Sequence, residues 1–421
     1  MKCISTLLCI LVVCFVSTAW AQQPATKLPF GTHIPHRMAN QASRTTNPTV
    51  SRNFQALANP DGEKIWELGT YPGGTWFTTQ SVNEFGVVVG RGDLPSGYVH
   101  TLAVPLFGPS AGQWIDLGAL TEVQPTDFEY EAITVISDTG LAVSHSTTAD
   151  GYEHAVAWTK ETGMVDLGSL ADSGDSVYAD YKLSRAAFTN RLGTLIVGSS
   201  YTNPDHVDDL PLVWTPTRKP GGLAIAWKMH KLATTAEFPF CQAWWLNDSG
   251  QIAGACGNSV NTVTGAVWNP SADGKDWQIT LLPPDQKYPN SNAYGINNMG
   301  EITGVVMSED FGVWLPRFWK PLNIKRTKYS RPLELALPSG FTSCESVGIN
   351  DWGDIVGDCW NDTQDLSARW ITACPSFSEL IKFPGTFGYS WSVTNNRIAA
   401  VTYSGSKCPS DITCGGAIRL H

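Results

Sequence analysis

Acidic, aromatic and histidine side chains gather in the segments that separate short apolar runs. The densest group is Asp205-His206-Val207-Asp208-Asp209. Such oxygen-rich loops can hold Ca²⁺, which takes about six to eight oxygen ligands. The EF-hand spacing is absent, so a solvated acidic loop is the alternative to a Ca²⁺ site, and no other cofactor is indicated.

Aromatic rings stack on sugar faces, and neighbouring acids bind sugar hydroxyls, so the same segments could form a glycan or protein site. Rings of this kind could instead fill a channel or cover the ends of strands. The candidate ligand-binding residues are Tyr71, Trp76, Tyr130, His145, Tyr152, Tyr181, Asp205, His206, Asp208 and Trp360.

Catalysis has weaker support. A His or Tyr base beside an Arg could abstract a proton next to a uronate carboxylate, which is the chemistry of polysaccharide lyases. The residues available are His145, His206, Tyr201 and Arg91, and the sequence gives no reason to place them together. Nucleophile-elbow, zincin and P-loop motifs are absent. The sequence favours a non-catalytic binding protein, with a polysaccharide lyase or hydrolase, or a purely structural surface component, as alternatives.

These side chains must be positioned by a repeated unit. One phrase recurs along the chain: an apolar residue, Asn, two variable residues, Gly and a short apolar run, as in Ile349-Asn350-Asp351-Trp352-Gly353. A run ending in Trp follows, and then an Asp-Leu-Gly-like phrase. The Asn-equivalent positions are 83, 137, 190, 247, 297, 350 and 395. Seven copies at about fifty residues are typical of a solenoid or a propeller.

Each copy offers four short apolar segments, and the Asn-x-x-Gly phrase between the first two is hairpin chemistry. The composition agrees, with 16% charged residues, 39 Gly and 26 Pro. The seventh copy lacks a fourth segment, and Ile65–Gly69 is an unpaired fourth segment before the first copy. We therefore predict an all-β fold: a single seven-bladed β-propeller of four-stranded antiparallel blades over residues 63–421, in which the N-terminal strand closes the last blade. Six or eight blades are the alternatives.

The repeated phrase resembles the HAF family of probable extracellular repeats. The resemblance covers about residues 63 to 421 and rests on Ile296–Gly304, on Ile349–Gly357 and on the His-Ala phrase His154-Ala155-Val156-Ala157-Trp158. Most other copies lack that His, so the resemblance implies no shared His chemistry. It implies an exported, propeller-like protein and no established activity.

The cysteines test the repeat register. Three of ten lie in residues 1–21, and no C-x-x-C pair occurs among the other seven, so disulfides are favoured over zinc. A two-residue turn between Asn and Gly would place Cys241 opposite Cys256, and Cys344 opposite Cys359. A type I turn with a Gly bulge would shift each partner by one residue. We predict both bonds, together with Cys408–Cys414, which leaves Cys374 over.

The N-terminal segment predicts export. Residues 1–21 combine Lys2, an apolar stretch and Ala19-Trp20-Ala21, as in a secretory signal peptide. Residues 22–62 have the composition of a flexible linker. The net charge is −10, and it becomes −11 without the signal, which argues against nucleic-acid and anionic-lipid partners. We expect a secreted or extracellular monomer that does not bind the membrane in its mature form, with the periplasm as the alternative compartment.

Overall fold

The fold is all-β in a computed structural model that describes residues 56–58, 64–122, 133–218, 225–258, 262–383, 387–404, 408 and 413–421. Within these residues there is no α-helix, and the two helical turns are 3₁₀ turns, Leu170–Ser173 and Ser176–Tyr178. None of the helices in these ranges has the length and apolarity needed to cross a membrane. The predicted signal peptide and most of the predicted linker lie outside the described residues.

Strands follow one another in groups of four. Sheet 1 contains β3 (Phe77–Val82), β4 (Val87–Asp93), β5 (Val99–Pro105) and β6 (Ile115–Gly118). Sheet 2 contains β7 (Val135–Ile136), β8 (Ala142–Thr147), β9 (Glu153–Thr159) and β10 (Gly163–Asp166). Sheet 3 contains β11 (Leu183–Thr189), β12 (Ile196–Tyr201), β13 (Leu210–Arg218) and β14 (Ile225–Lys231). Sheet 4 contains β15 (Phe240–Leu246), β16 (Ile252–Gly257), β17 (Val263–Pro270) and β18 (Trp277–Leu281).

The remaining strands complete the pattern. Sheet 5 contains β19 (Asn290–Ile296), β20 (Ile302–Met307), β21 (Trp314–Trp319) and β22 (Leu333–Glu334). Sheet 6 contains β23 (Ser343–Ile349), β24 (Asp354–Trp360), β25 (Asp365–Ile371) and β26 (Cys374–Leu380). Sheet 7 contains β27 (Phe387–Val393), β28 (Ile398–Ser404), β29 (Cys414–Arg419) and two strands from the other end of the chain, β2 (Lys64–Gly69) and β1 (Ala56–Ala58).

Within each group the neighbouring strands are antiparallel, as the repeat predicts. Sheets 1 to 5 are separate four-stranded sheets. Sheets 6 and 7 are joined by one parallel pair, Asp365 and Phe387, into a nine-stranded sheet.

The two ends of the described chain meet in sheet 7. Ile65 of β2 pairs with Ile418 of β29 in an antiparallel ladder. Sheet 7 also contacts sheet 1, where Thr79 exchanges hydrogen bonds with Thr402. The first strand of each sheet contacts the first strand of the next, and β3 also contacts β27.

Each first strand ends in the Asn-type turn that the sequence predicts. In sheet 4 the backbone N–H of Gly250 donates to Asn247 O, and that of Asn247 donates to Gln251 O. The Gly at the fourth position has φ between 65° and 87° in six turns, a conformation that Gly adopts without steric cost. The seventh turn corrects our alignment. Thr394, rather than Asn395, holds the Asn position, and Arg397 takes the Gly position with φ 59°.

The seven turns are hydrogen-bonded to one another through the residue after the Asn position. The backbone N–H of each such residue donates to its counterpart in the next turn, over distances of 2.6 to 3.1 Å. The series returns to its first member. We call this set the turn ring: Glu84, Asp138, Arg191, Asp248, Asn298, Asp351 and Asn395.

All three predicted disulfides are confirmed. Cys241 and Cys256 lie opposite each other with their Cα atoms 4.0 Å apart, as do Cys344 and Cys359 at 3.9 Å. Cys408 is bonded to Cys414, and Cys374 is a free, exposed thiol.

The turn that we assumed for the first two bonds does not form. Leu246 pairs with Ile252, which is the one-residue offset of a turn with a Gly bulge. A second bulge at Trp244 shifts the register back, so that the cysteines beyond it are opposed again.

Tryptophans that end the third strands pack between neighbouring sheets. Trp214, Trp268, Trp319 and Trp370 are fully buried. Each indole N–H donates to a carbonyl in the preceding sheet or in the loop that follows it, such as Trp370 to Ala336 O at 2.7 Å. Burial of rings this large supplies much of the apolar contact between sheets.

Candidate functional site

The first strands have two different ends. The turn ring lies at their C-terminal ends, and we call this side the turn face. Their N-terminal ends lie beside the loops that join second to third strands and fourth to first strands, and we call this side the loop face. Every predicted ligand-binding residue that the structure describes belongs to segments at or near the loop face. Tyr130 lies outside the described residues.

Several predicted residues meet at sheet 3. The rings of Tyr201 and His206 lie 4.0 Å apart, and His206 Nδ1 lies 3.1 Å from Asp209 Oδ1. Burial, followed by the charges of Asp208 and Asp209, raises the pKa of the nearby Tyr181. The dense acidic segment is therefore ordered by internal contacts, and Asp208 accepts hydrogen bonds from Thr202.

The four residues considered for lyase chemistry lie in one network, which the sequence did not indicate. Arg91 donates to His145 O at 2.9 Å, and His145 Nε2 lies 3.0 Å from Glu153 Oε1. Burial lowers the pKa of Arg91 to about 10, although the charge of Glu153 opposes the shift. Burial, with Glu153 second, raises the pKa of Tyr201 well above its usual value. Arg91, His145 and Tyr201 are buried and His206 is partly exposed, so most of this network lies inside and holds sheets 1 to 3 together.

Other predicted residues stand apart. Tyr152 lies under Lys182, whose Nζ is 5.2 Å from the ring centroid. On sheet 1, Tyr71 packs edge-on against Trp114, and the backbone N–H of Trp76 donates to Asp93. Asp205 is exposed.

Trp360 belongs to a larger aromatic cluster on sheets 4 to 7. Its ring lies 5.9 Å from that of Trp314, and Trp244 lies 6.2 Å from Tyr294. Trp391 packs against the same cluster and lies 5.8 Å from Tyr389. Trp360, Trp391 and Phe311 are partly exposed at its edge, whereas the other members are buried. We call this cluster the aromatic mouth: Trp244, Tyr294, Phe311, Trp314, Trp360 and Trp391.

Sequence reasoning missed most of the aromatic mouth, although a signal was present. Trp244, Tyr294 and Trp391 each stand three residues before the Asn position of their turn. A bulge occurs at or beside this position in each of these strands. Bulges change the direction of a side chain relative to the ladder. Aromatic residues at this one repeat position, read together, would have indicated a common cluster.

Arg185 links the two groups of residues. Its guanidinium lies 4.9 Å from the ring of Trp244, within the range of a cation–π contact. The same guanidinium lies 3.7 Å from Asp209 and 3.5 Å from His206 Nε2. A continuous polar and aromatic arc therefore runs from sheet 3 to sheet 7.

Three carboxyl groups adjoin the aromatic mouth on sheet 6. Glu345 and Asp358 face each other on β23 and β24, and Asp365 begins β25 beside Trp360. Burial, then the charges of Glu345 and Asp365, raises the pKa of Asp358 well above its usual value. Burial raises the pKa of Asp365 to about 7. Asp358 and Asp365 therefore retain protons near neutral pH and can donate hydrogen bonds.

Two tyrosines interact with these carboxyl groups. Burial, then the charge of Glu345 and a hydrogen bond with it, raises the pKa of Tyr294. Burial likewise raises the pKa of Tyr389, and Asp358 and Asp365 contribute. Among the residues that the structure describes, no group of three or more His, Cys, Asp and Glu side chains is arranged to hold a metal ion.

Comparison with known proteins shows similarity in fold but assigns the chain to no family. No protein-family model matches the chain. No curated protein matches it either. The resemblance to the HAF repeats stays a prediction.

Solved structures are similar in fold. A prolyl endopeptidase superimposes with a TM-score of 0.50 and 11% identity, over 84% of this chain and 51% of that chain. A puromycin-hydrolyzing peptidase of Mycobacterium tuberculosis gives 0.47 and 10%, over 90% and 61%. A protein of unknown function from Dyadobacter fermentans gives 0.44 and 9%, over 85% and 99%. The first likeness defines the class of fold: the chain has the all-β architecture of β-propeller proteins. It spans about half of that endopeptidase, and the low identity carries no activity across.

Proposed function

We propose that the protein is an exported β-propeller that binds a glycan at its aromatic mouth and does not cleave it. The single observation that carries this proposal is the convergence of aromatic side chains from sheets 4 to 7 in one cluster beside protonated carboxyl groups. Partly exposed Trp360 and Trp391 would stack on sugar faces. The neighbouring Asp365, which is only partly buried, would donate a hydrogen bond to a sugar hydroxyl.

The proposal includes a closed ring of seven blades. Support comes from the pairing of Ile65 with Ile418, from the contacts between sheets 7 and 1, and from the return of the turn ring to Glu84. Closure in this manner removes the unpaired edges that an open array of sheets would expose.

Export is supported by the three disulfides, which persist in oxidising compartments. The predicted signal peptide at residues 1–21 and the resemblance to extracellular HAF repeats point the same way. We propose a secreted or extracellular monomer.

Binding without cleavage is favoured by the geometry of the acids. Glycosidases separate their two carboxyl groups by about 5 Å or more. Here Asp358 shares side-chain hydrogen bonds with both Glu345 and Asp365, which places these acids closer together than that separation. Of the four residues considered for a lyase, Arg91, His145 and Tyr201 are buried away from solvent, and only His206 is partly exposed.

Binding can be tested with the full-length protein on a glycan array, followed by calorimetry with the strongest glycan. We expect Trp360→Ala and Trp391→Ala each to weaken binding about tenfold or more, or about 1.4 kcal/mol. Trp352→Ala, which removes an exposed Trp from the turn face, is the matched control and should bind as wild type. Equal binding by all four proteins would refute the site, and no binding to any glycan would refute the function.

Cleavage is tested on the same samples. New ultraviolet absorbance with uronic-acid polymers would indicate a lyase, and release of reducing ends would indicate a hydrolase. Either result would replace the non-catalytic proposal with the enzymatic alternative.

A further inference from the structure

The turn face exposes large apolar side chains at repeated positions. Seven large apolar residues among those described are more than half exposed, and six of them lie on or beside the turn face. Four occupy the same place in their turns, two residues after the Asn position. These are Phe85 at 68% exposure, Leu192 at 55%, Met299 at 60% and Trp352 at 69%.

The other two belong to one loop of sheet 5. Leu322 and Ile324 are exposed, and Arg326 anchors their loop to the turns. Arg326 donates to Asn298 O at 2.8 Å and to Gln251 Oε1 at 2.7 Å. A soluble monomer rarely concentrates exposed apolar residues in this way, so such a concentration marks a contact surface.

Trp352 shows how the apolar side chains sit on the turns. Its indole N–H donates to Asn395 O of the next turn at 3.1 Å, yet most of its ring surface is open. The ring is therefore held in place and presented outwards. An interface anchor that is fixed before binding loses little side-chain entropy when a partner covers it.

An acidic opening lies among these exposed apolar residues, at the centre of the turn ring. The turn ring supplies four carboxylates to its lining and one cation, Arg191, which leaves a net charge of −3. Arg191 is bonded to Asp248 at 2.8 Å and lies 3.3 Å from Asp351. The carboxylates of Glu84 and Asp138 on the other side accept backbone N–H groups. Burial, and then the neighbouring acids, raises the pKa of both.

The opening continues into an apolar cavity. Its deeper wall includes Ile136 and the stacked rings of Phe188 and Trp245, whose centroids lie 3.7 Å apart. An acidic rim above apolar walls matches a side chain that has an apolar stem and a cationic head, as Lys and Arg have.

The negative charge of the opening discriminates between the partners that could bind there. A second copy of this chain has a net charge of −10 and would bring its own acidic opening against this one. An anionic lipid surface would also place negative charge there. A protein segment with a basic residue among apolar residues complements both the rim and its surroundings.

We propose that the turn face is a docking surface for a protein segment in which a Lys or Arg enters the acidic opening and flanking apolar residues cover Phe85, Leu192, Met299 and Trp352. The surface is separate from the aromatic mouth at the loop face. The same molecule would then connect a glycan on one side with a protein on the other.

The test uses random 12-residue peptides displayed on phage and selected on the immobilised full-length protein. We expect enriched peptides to carry Lys or Arg beside two or more apolar residues. The strongest peptide, made synthetically, should bind at least tenfold more weakly to Trp352→Ser and to Asp138→Asn. Its affinity should fall with added salt, and Trp360→Ala at the aromatic mouth should bind it as wild type does.

Three results would overturn the proposal. The first is enrichment of acidic peptides or no enrichment. The second is equal binding of the peptide by wild type and Trp352→Ser, with circular dichroism showing that both are folded. The third is sedimentation velocity showing a wild-type dimer that Trp352→Ser abolishes, because a second copy would then be the occupant. Each is independent of glycan binding, which Trp360→Ala tests separately.

Discussion

Glu84 and Asn395 lie 311 residues apart in the sequence, and the carboxylate of Glu84 accepts a hydrogen bond of 2.6 Å from the backbone N–H of Asn395. The same carboxylate accepts from the backbone N–H of Asn396. One side chain thus connects the first turn with the last. The contact depends on the two ends of the repeat array being neighbours.

Removal of this carboxylate should loosen the junction of sheets 1 and 7. We expect Glu84→Ala to lower the free energy of unfolding by about 1–3 kcal/mol, because two backbone donors lose a charged acceptor. Urea denaturation measures the change. Glu161→Ala, on an exposed turn of sheet 2, should stay within about 0.5 kcal/mol of wild type. A Glu84→Ala protein as stable as the Glu161→Ala protein would show that the contact contributes nothing to closure.

The disulfides within sheets 4 and 6 should each stabilise the fold. Each closes a loop of 15 residues, for which the chain-entropy account gives about 3 kcal/mol. We expect Cys344→Ala/Cys359→Ala to lose about this amount in denaturant melts. Cys374→Ala, which removes the free thiol, serves as the control. A reducing agent should lower the melting temperature of wild type and have less effect on the double variant.

His154 and Asp166 give a pH-dependent contribution. Burial alone would lower the pKa of His154, but its 3.0 Å contact with Asp166 outweighs burial and raises the pKa. Burial alone would raise the pKa of Asp166, but the hydrogen bond from His154 and other contacts outweigh burial and lower it. The His154 contribution is present below pH about 6.5 and is lost as pH rises through the raised folded-state pKa.

We therefore expect His154→Gln to cost more stability at pH 5.5 than at pH 9. The difference should be under about 1 kcal/mol, because Asp166 is well exposed. Paired denaturation curves at the two pH values measure it. A larger cost at pH 9 would contradict the assigned direction.

Asp365 gives a second pH-dependent contribution, and it also falls as pH rises. An Asp in the unfolded chain loses its proton near pH about 4, whereas Asp365 in the folded chain keeps it to about pH 7. Folding therefore favours the protonated form, and stability is lost as pH rises between these values. We expect Asp365→Asn to be more stable than wild type at pH 8, by about 1–3 kcal/mol, and near wild type at pH 4.

Thermal melts across this pH range would measure the effect of Asp365→Asn. The matched control is Asp362→Asn on the neighbouring exposed loop, which should show no such trend. Stability of Asp365→Asn below that of wild type at pH 8 would mean that the carboxylate, and not the acid, is the native form.

The sequence predicted the strands, the grouping in fours and the disulfides, since all three follow from local patterns repeated along the chain. The seventh turn shows the limit of that method. Thr394 replaces Asn and Arg397 replaces Gly there, so the pattern was aligned one residue too late on Asn395. Contacts with Asp351 and Glu84 fix the turn where its own residues do not.

The cysteine pairs were predicted correctly from a turn that does not form. The offset of the turn and the bulge at Trp244 cancel, and neither is visible in residue spacing alone. A bulge arises from how a first strand packs beside its neighbours, which involves residues about fifty positions away.

The sequence by itself determined the repeat, its β-strand character and the residues available at each position, because hydrophobic alternation and turn chemistry act over a few residues. Only the tertiary structure decided which copies became neighbours. It buried His145 and Tyr201, assembled Trp244, Tyr294 and Trp391 into one cluster, and set Phe85 and Trp352 around an acidic opening. The physical reason is that side chains from separate copies meet only when sheets pack side by side, and burial and charge are properties of that packing.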